Sequence, residues 1–453
     1  MISTNPYTHT QIAEYAEHSP EDVKAAIETA HQQHEIWRRK SFTERAQHLM
    51  KVAELLSSRS QELAKTMSTE MGKPLQEGRS EIEKGAWVCR YYAEHAEEFL
   101  ATTAVDSDAS QSMVAYRPLG VVLAVMPWNY PFWQVMRFAA PALMAGNAGL
   151  LKHASNVSGC ALALEKLFVD AGCPEGLFKT LLIPSDRVAM VLEHPLVRAA
   201  TLTGSTPAGK AVAAKAGEQL KKTVLELGGS DPYLILEDAD LDLAAAQCAQ
   251  SRLLNTGQSC IGAKRFIVLE SVYERFLDKF VAQLKEAVMG DPLNEKTPLG
   301  PMARHDLRDE LHAQVQKSIE AGAECILGGE IPEHAGAMYP PTVLVNVQPG
   351  MPAYDEELFG PVASVIKVSS EAEAIRVAND SEFGLGAAIF SEDTERAKAL
   401  AIHEIEAGSC FVNHFVKSDP RLPFGGVKQS GYGRELGPYG IREFVNTKTV
   451  SIA

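Results

Sequence analysis

From residue 115 onward, short apolar runs alternate with helix-length segments, and this alternation constrains the fold more than any other feature of the chain. The runs are GVVLAVM at 120–126, AGLLK at 148–152, RAATLT at 198–203 and PYLILE at 232–237, with stretches such as NVSGCALALEKLFVDAG at 156–172 between them. Strands separated by helices of that length imply a parallel sheet in an α/β fold. A second alternating series runs from about 265 to 420, with VYERFLDKFVAQLKEAV and EAEAIRVAND as its clearest helices, so two α/β units are expected, divided near Gly228-Gly229. Residues 20–100 are helical in pattern; in SPEDVKAAIETA, Ser19 can cap and Pro20 suits the first turn.

The chain has 453 residues, 45% hydrophobic and 22% charged, enough to bury a large core in two or three domains. A formal charge of −15 without a Lys/Arg-rich block argues against a nucleic-acid partner, so an anionic substrate would need a local basic pocket. The seven cysteines (Cys89, Cys160, Cys173, Cys248, Cys260, Cys325, Cys410) form no CxxC pair, and their number is odd. Reduced thiols in a cytoplasmic protein fit that pattern better than a disulfide framework or a metal site. No apolar run is long enough to span a bilayer, and the N-terminus lacks a signal pattern, so no membrane association is expected.

Several short stretches can carry chemistry, and each also has an ordinary reading. NTGQSC at 255–260 follows a helical stretch whose apolar face is read as Leu241, Leu243, Ala246, Leu253 and Leu254; the helix should end near Asn255, with Gly257 turning the chain and Cys260 on a loop before the strand FIVLE. Alone, such a cysteine reads as a small buried hydrophobe. TGSTPAGK at 203–210 nearly matches the phosphate-binding pattern GxxxxGK(S/T), but Ala211 replaces the hydroxyl that would hold Mg²⁺. What remains is a strand, a turn at Gly204-Ser205 and a helix N-terminus able to receive a phosphate. Asn129 in PWNYPF and Lys152 in LLKHAS stand at the carboxyl ends of strands, where ligands gather in open α/β sheets, although a turn asparagine and a solvated lysine would look the same. Glu226, in VLELGG, is either a desolvated general base or an edge-strand carboxylate facing water. EELFGPV and PFGGVKQSGYGRE add Glu357 and a glycine-dense loop that could be turn chemistry only.

In order and over nearly the whole chain, PWNYP, LLKHAS, TGSTPAG, ELGG, GQSC, EELFGPV and PFGGVKQSGYGRE resemble the aldehyde dehydrogenase superfamily. The resemblance implies a Rossmann-like cofactor domain (1–105 and 119–228), a catalytic α/β domain (229–420) and a small β arm for oligomerisation (106–118 and 434–453). It also implies a nucleophilic Cys260, an oxyanion site made by Asn129 and the Cys260 N–H, and a Glu226 that activates water to hydrolyse a thioester. By the same matching, Lys152 would hold the adenine ribose, Gly204 and Ser205 the pyrophosphate, and Glu357 the nicotinamide ribose, with Trp128 and Phe359 lining the cleft. Many NAD-selective members carry a glutamate where this chain has Ser155, so the cofactor is NAD or NADP. His153 stands in place of the family's usual proline.

Arg137, eight residues after Asn129, and Ser418, five before Pro423, resemble the pair with which succinate-semialdehyde dehydrogenases grip the far carboxylate of their substrate. The implied substrate is an aldehyde with a distal carboxylate, handled by a homodimer or homotetramer. Leu254 replaces a further arginine found in some members, and Gly262 replaces the second cysteine of those with a disulfide switch. The competing readings are a broad-specificity aldehyde dehydrogenase, a cysteine hydrolase, and a non-catalytic protein that keeps the fold.

Overall fold

GVVLAVM forms the strand Val121–Met126, almost wholly buried, at the centre of a six-stranded sheet. The computed structural model describes residues 1–453. Across this sheet the order is Gly431–Tyr432, Lys222–Glu226, Val197–Thr203, Val121–Met126, Ala148–His153 and Phe178–Thr180. All neighbours are parallel except the short edge strand Gly431–Tyr432, which the glycine-dense loop sends back from the far end of the chain. From Val121–Met126 the chain steps outward to Ala148–His153 and Phe178–Thr180, then returns to the opposite side as Val197–Thr203. The strand order therefore reverses between Val121–Met126 and Val197–Thr203, and a crevice opens there at the carboxyl ends. Pro127-Trp128-Asn129 and Gly204-Ser205 leave the sheet at that place.

The second series builds a seven-stranded sheet in the order Glu324–Leu327, Thr342–Val345, Val362–Val368, Arg265–Leu269, Pro232–Ile235, Gly386–Phe390 and Ser409–Val412, parallel but for its first strand. Separate apolar cores surround the two sheets, and Ile261 and Leu307 pack against both. A third, largely exposed antiparallel ribbon pairs Thr103–Val105, Gln111–Pro118 and Val445–Ile452. Thr103–Val105 adds a strand before residue 106, whereas Leu436 and Ile441, in and beside the helix Gly437–Glu443, are buried in the core of the first sheet.

The helix Pro20–Trp37 starts as its sequence indicates, with Ser19 and Asp22 forming a reciprocal capping box. The helix Leu241–Leu253 corrects the expected apolar face. Leu241 is buried and Leu253 and Leu254 half-buried as expected, but the face also buries Ala244, Ala245, Cys248, Ala249 and Arg252, while Leu243 is exposed and Ala246 faces water. The small side chains allow close packing, and the helix Tyr273–Lys285 lies against them. No helix is long and apolar enough to cross a membrane.

Candidate active site

The helix before Cys260 ends in an abrupt turn. Asn255, Thr256 and Gly257 are all left-handed, with φ of 55°, 54° and 71°. That is costly for a β-branched threonine and is sustained by its surroundings. Asn255 Nδ2 donates to the carbonyls of Asn129 and Gln258 at 2.8 and 3.1 Å, and the Asn255 N–H donates to the Glu77 carboxylate at 2.8 Å. At Gly257 a Cβ would stand 2.3 Å from the backbone of Gly360, so only glycine fits. Beyond the turn, the buried Lys264 donates to the carbonyls of Ser259 and Cys260 at 2.8 and 2.7 Å, fixing the Cys260 loop from behind. The double glycine at 228–229 has a related cause. A Cβ on Gly229 would come within 2.7 Å of the Cys260 carbonyl oxygen, and one on Gly228 within 2.5 Å of Glu357 Oε2.

Cys260 stands where two cavities meet. One, of about 280 Å³, is lined by Trp128, Asn129, Gly204, Ser205, Glu357 and Phe359; the other, of about 330 Å³, by Lys84, Trp133, Arg137, Phe415, Ser418 and Phe424. Only Gln134 and Cys260 line both. Asn129 Oδ1 accepts from Gln134 Nε2 at 3.1 Å, and Asn129 Nδ2 donates to the Gln258 carbonyl at 3.1 Å, which leaves one amide hydrogen uncommitted. The Cys260 N–H donates to no group of the chain. Burial pushes the Cys260 thiol up to about 12, opposed first by the charge of Lys264 and then by that of Arg137.

Glu226 is not brought into either cavity. It ends the strand Lys222–Glu226 behind Leu227 and Gly228, buried, with neither carboxylate oxygen hydrogen-bonded. Burial, reinforced by the nearby Glu435, raises its pKa well above the carboxylate range. A Cβ on Gly425 would lie 2.8 Å from Glu226 Oε1, so the glycine-dense loop makes room for this side chain.

The first cavity suits a dinucleotide. The helix Thr206–Glu218 starts at Ser205, whose side chain makes no capping bond, so its first N–H groups remain available to a phosphate. Glu357 accepts from the Gly229 N–H and pairs with Lys264, both at 3.1 Å, and Trp128 and Phe359 meet edge to face with ring centres 5.8 Å apart. Lys152 and Ser155 lie outside this cavity. Lys152 is buried, pairs with no carboxylate and reaches Ser185 Oγ at 3.5 Å, while Ser155 is exposed just after the same strand. Ser185 lines a mainly apolar slot of about 320 Å³ with Val125, Leu202, Ala208, Ala211 and Val212. Ala211, the residue that spoiled the Mg²⁺-binding pattern, is thus part of a slot wall.

In the second cavity Arg137 and Ser418 do come together, and Arg137 is already engaged. Its guanidinium pairs with the buried Glu435 and stacks on Phe424 at 4.6 Å. Ser418 Oγ accepts from Lys84 Nζ at 2.8 Å.

The sequence model of the aldehyde dehydrogenase family matches residues 1–450. The chain belongs to the aldehyde dehydrogenase family. It is 51% identical over 100% of both chains to a Synechocystis protein named as a probable succinate-semialdehyde dehydrogenase, NADP(+). It is 46% identical to the succinate semialdehyde dehydrogenase, NAD(P)+, of Escherichia coli, over 99% of this chain and 97% of that one. The crystal structure of a Streptococcus pyogenes succinic semialdehyde dehydrogenase in complex with NADP+ superposes with a TM-score of 0.98 at 40% identity, covering 100% of this chain and 99% of the other.

Three residues around Cys260 of this aldehyde dehydrogenase carry little signal of their place in the sequence. Lys264 sits four residues after Cys260 and could have been suspected from a lysine at the start of a buried strand. Gln134 falls on the first turn of the helix Trp133–Met144, every residue of which is buried. Lys84 lies in a helix rich in charge, and its spacing resembles that of any solvated face.

Proposed function

We propose that this aldehyde dehydrogenase oxidises succinic semialdehyde to succinate, with NADP or NAD as hydride acceptor. The observation that carries the reading is the second cavity, which reaches Cys260 from the side opposite the dinucleotide cleft and holds Arg137, Lys84 and the Ser418 hydroxyl. The substrate named for the Synechocystis, Escherichia coli and Streptococcus relatives supports it, as do the NADP and NAD(P) of their names. Lys152, a buried cation without a carboxylate partner, and Ser155, which brings no negative charge, both suit a ribose 2′-phosphate.

Cys260 Sγ attacks the aldehyde carbon after losing its proton, and Lys264 and Arg137 favour the thiolate against burial. The oxygen of the tetrahedral adduct lies between Asn129 Nδ2 and the Cys260 N–H, the donors left free. When bound, the nicotinamide supplies the hydride acceptor. The thioester on Cys260 is then cleaved by water, whose proton Glu226 takes once its carboxyl has ionised and turned past Leu227 toward the sulfur. Carboxylate product leaves and the thiol is restored.

The six-stranded sheet with its helices serves as the cofactor-binding domain and the seven-stranded sheet as the catalytic domain. The exposed ribbon of Thr103–Val105, Gln111–Pro118 and Val445–Ile452 is the arm of a homodimer or homotetramer, and the seven free cysteines suit the cytoplasm. Reduced-nicotinamide formation with succinic semialdehyde and with butanal, each with NADP and NAD, tests the reading. A strong preference for the acid aldehyde is expected; equal turnover of both aldehydes would remove the carboxylate preference and keep the enzyme class.

A further inference from the structure

Four cations line the cavity beyond Cys260: Lys73, Lys84, Arg137 and Lys417. Lys73 pairs with Glu81 and also donates to the Asn129 carbonyl at 2.8 Å. Arg137 pairs with Glu435. Lys417 is exposed, and its nearest partner is His414 Nε2 at 3.5 Å. Lys84 alone stands inside the cavity without a carboxylate. Its ammonium lies 4.5 Å from the centre of the Trp133 ring and spends one hydrogen bond, on Ser418 Oγ.

The acids around it are committed elsewhere. Glu81 is held by Lys73 and by the N–H groups of Phe132 and Trp133 at 2.9 and 3.0 Å. Asp419 is gripped by Arg421 through two bonds of 2.9 and 2.6 Å, and Glu77 accepts from the Asn255 N–H. Burial, followed by the charge of Arg137, pushes the Lys84 ammonium down to about 8; Asp419 and Glu81 oppose the shift and Lys417 adds to it. A cation short of counter-charge, facing a cavity that ends at the nucleophile, suits an anionic ligand.

We propose that Lys84 supplies the uncompensated charge that pairs with the distal carboxylate of the substrate, with Ser418 as its hydroxyl partner, while Arg137 contributes shape and hydrogen bonding from an already neutralised pair. The assignment rests on the proposed carboxylate-bearing substrate and names the residue that selects it.

Steady-state kinetics of the full-length wild type, Lys84→Met and Lys84→Arg with succinic semialdehyde and butanal test it. Lys84→Met should raise KM for the acid aldehyde about 30-fold or more, with kcat within about threefold, and Lys84→Arg should restore most of the affinity. A structural role would lower kcat and stability for both aldehydes alike. The wild type gives a check that needs no variant: as pH rises through about 8, KM should climb for succinic semialdehyde and stay level for butanal. A flat KM profile, or a Lys84→Met enzyme with unchanged KM beside a wild type that prefers the acid aldehyde, overturns the role of Lys84 and leaves the proposed function standing. A wild type that does not distinguish the two aldehydes overturns both.

Discussion

The two cavities that meet at Cys260 are made of different material. The cofactor side is walled mainly by turns at strand ends and by loops: Pro127–Asn129, Thr203–Ser205, Leu227–Gly228 and Glu357–Phe359. On the other side are helix faces, with Glu77, Ser80, Glu81 and Lys84 three and four residues apart on one helix and Trp133, Gln134 and Arg137 on another, closed by the loop carrying Phe415 and Ser418. One wall is set mainly by strand-end turns, with one face of the helix His305–Glu320 beside them, and the other by helix side chains. Substitutions on the first should therefore damage the reaction itself, and substitutions on the second should change which aldehyde is accepted.

Cys260→Ala tests the comparison most severely, because it removes the atom at which the cavities join. Turnover should fall at least about 1000-fold for every aldehyde, while NADP binding, followed by fluorescence titration, stays within a few-fold. Loss of cofactor binding in this variant would mean that the cavities are not independent. Glu226→Gln comes next. If the glutamate serves only the hydrolytic step, rapid mixing should show a burst of about one reduced nicotinamide per active site, then a steady state slower by about 100-fold or more. Absence of a burst would place its role before the thioester. Because burial and Glu435 raise the Glu226 pKa, the carboxyl is protonated at low pH and only its ionised form accepts a proton. The wild-type steady-state rate should thus keep rising with pH above the ordinary carboxylate range; a rate already level at the top of that range would deny Glu226 the role of base.

Asn129→Ala should cost less, about 100-fold in kcat with cofactor affinity retained, if it withdraws one of the two proposed oxyanion donors. An effect confined to KM for aldehyde would move Asn129 from stabilising charge to holding substrate.

The same contrast explains what could be read from the sequence. Turns leave compact signatures, because glycines such as Gly228, Gly229 and Gly257 answer steric demands from neighbouring backbone and stand in recognisable runs. The turns at Gly257 and at Gly204-Ser205 accordingly show in a few letters each, whereas Lys152 and Cys260 stand out only through the family resemblance. Side-chain walls leave no such mark. Lys84 sits among charged residues at helical spacing and looks like part of a surface helix until its packing against Trp133–Met144 is known, and Lys73 stands in the short link before that helix. The face of Leu241–Leu253 is only partly legible for a related reason: beside Leu241 its contact surface is built largely of alanines, to which an apolar pattern weighted by leucine gives little notice. Likewise, nothing in the letters joins Arg137 to Glu435, which lie in separate motifs almost 300 residues apart.

The smallest expected effect concerns the adenosine end of the cofactor side, where geometry and charge can be separated. Ser155 is exposed immediately after the strand that ends in Lys152 and His153, so a longer side chain there disturbs no packing. Ser155→Glu should leave NAD use nearly unchanged and lower kcat/KM for NADP about tenfold, because a carboxylate beside a 2′-phosphate repels it in a partly solvated setting. The loss should shrink as salt is raised from about 20 to 500 mM, which an indirect steric effect would not do. A salt-insensitive loss with both cofactors would mean that residue 155 shapes the turn into the following helix. An unchanged ratio would place the 2′-phosphate away from this residue and leave Lys152, buried and without a carboxylate partner, as the group that discriminates.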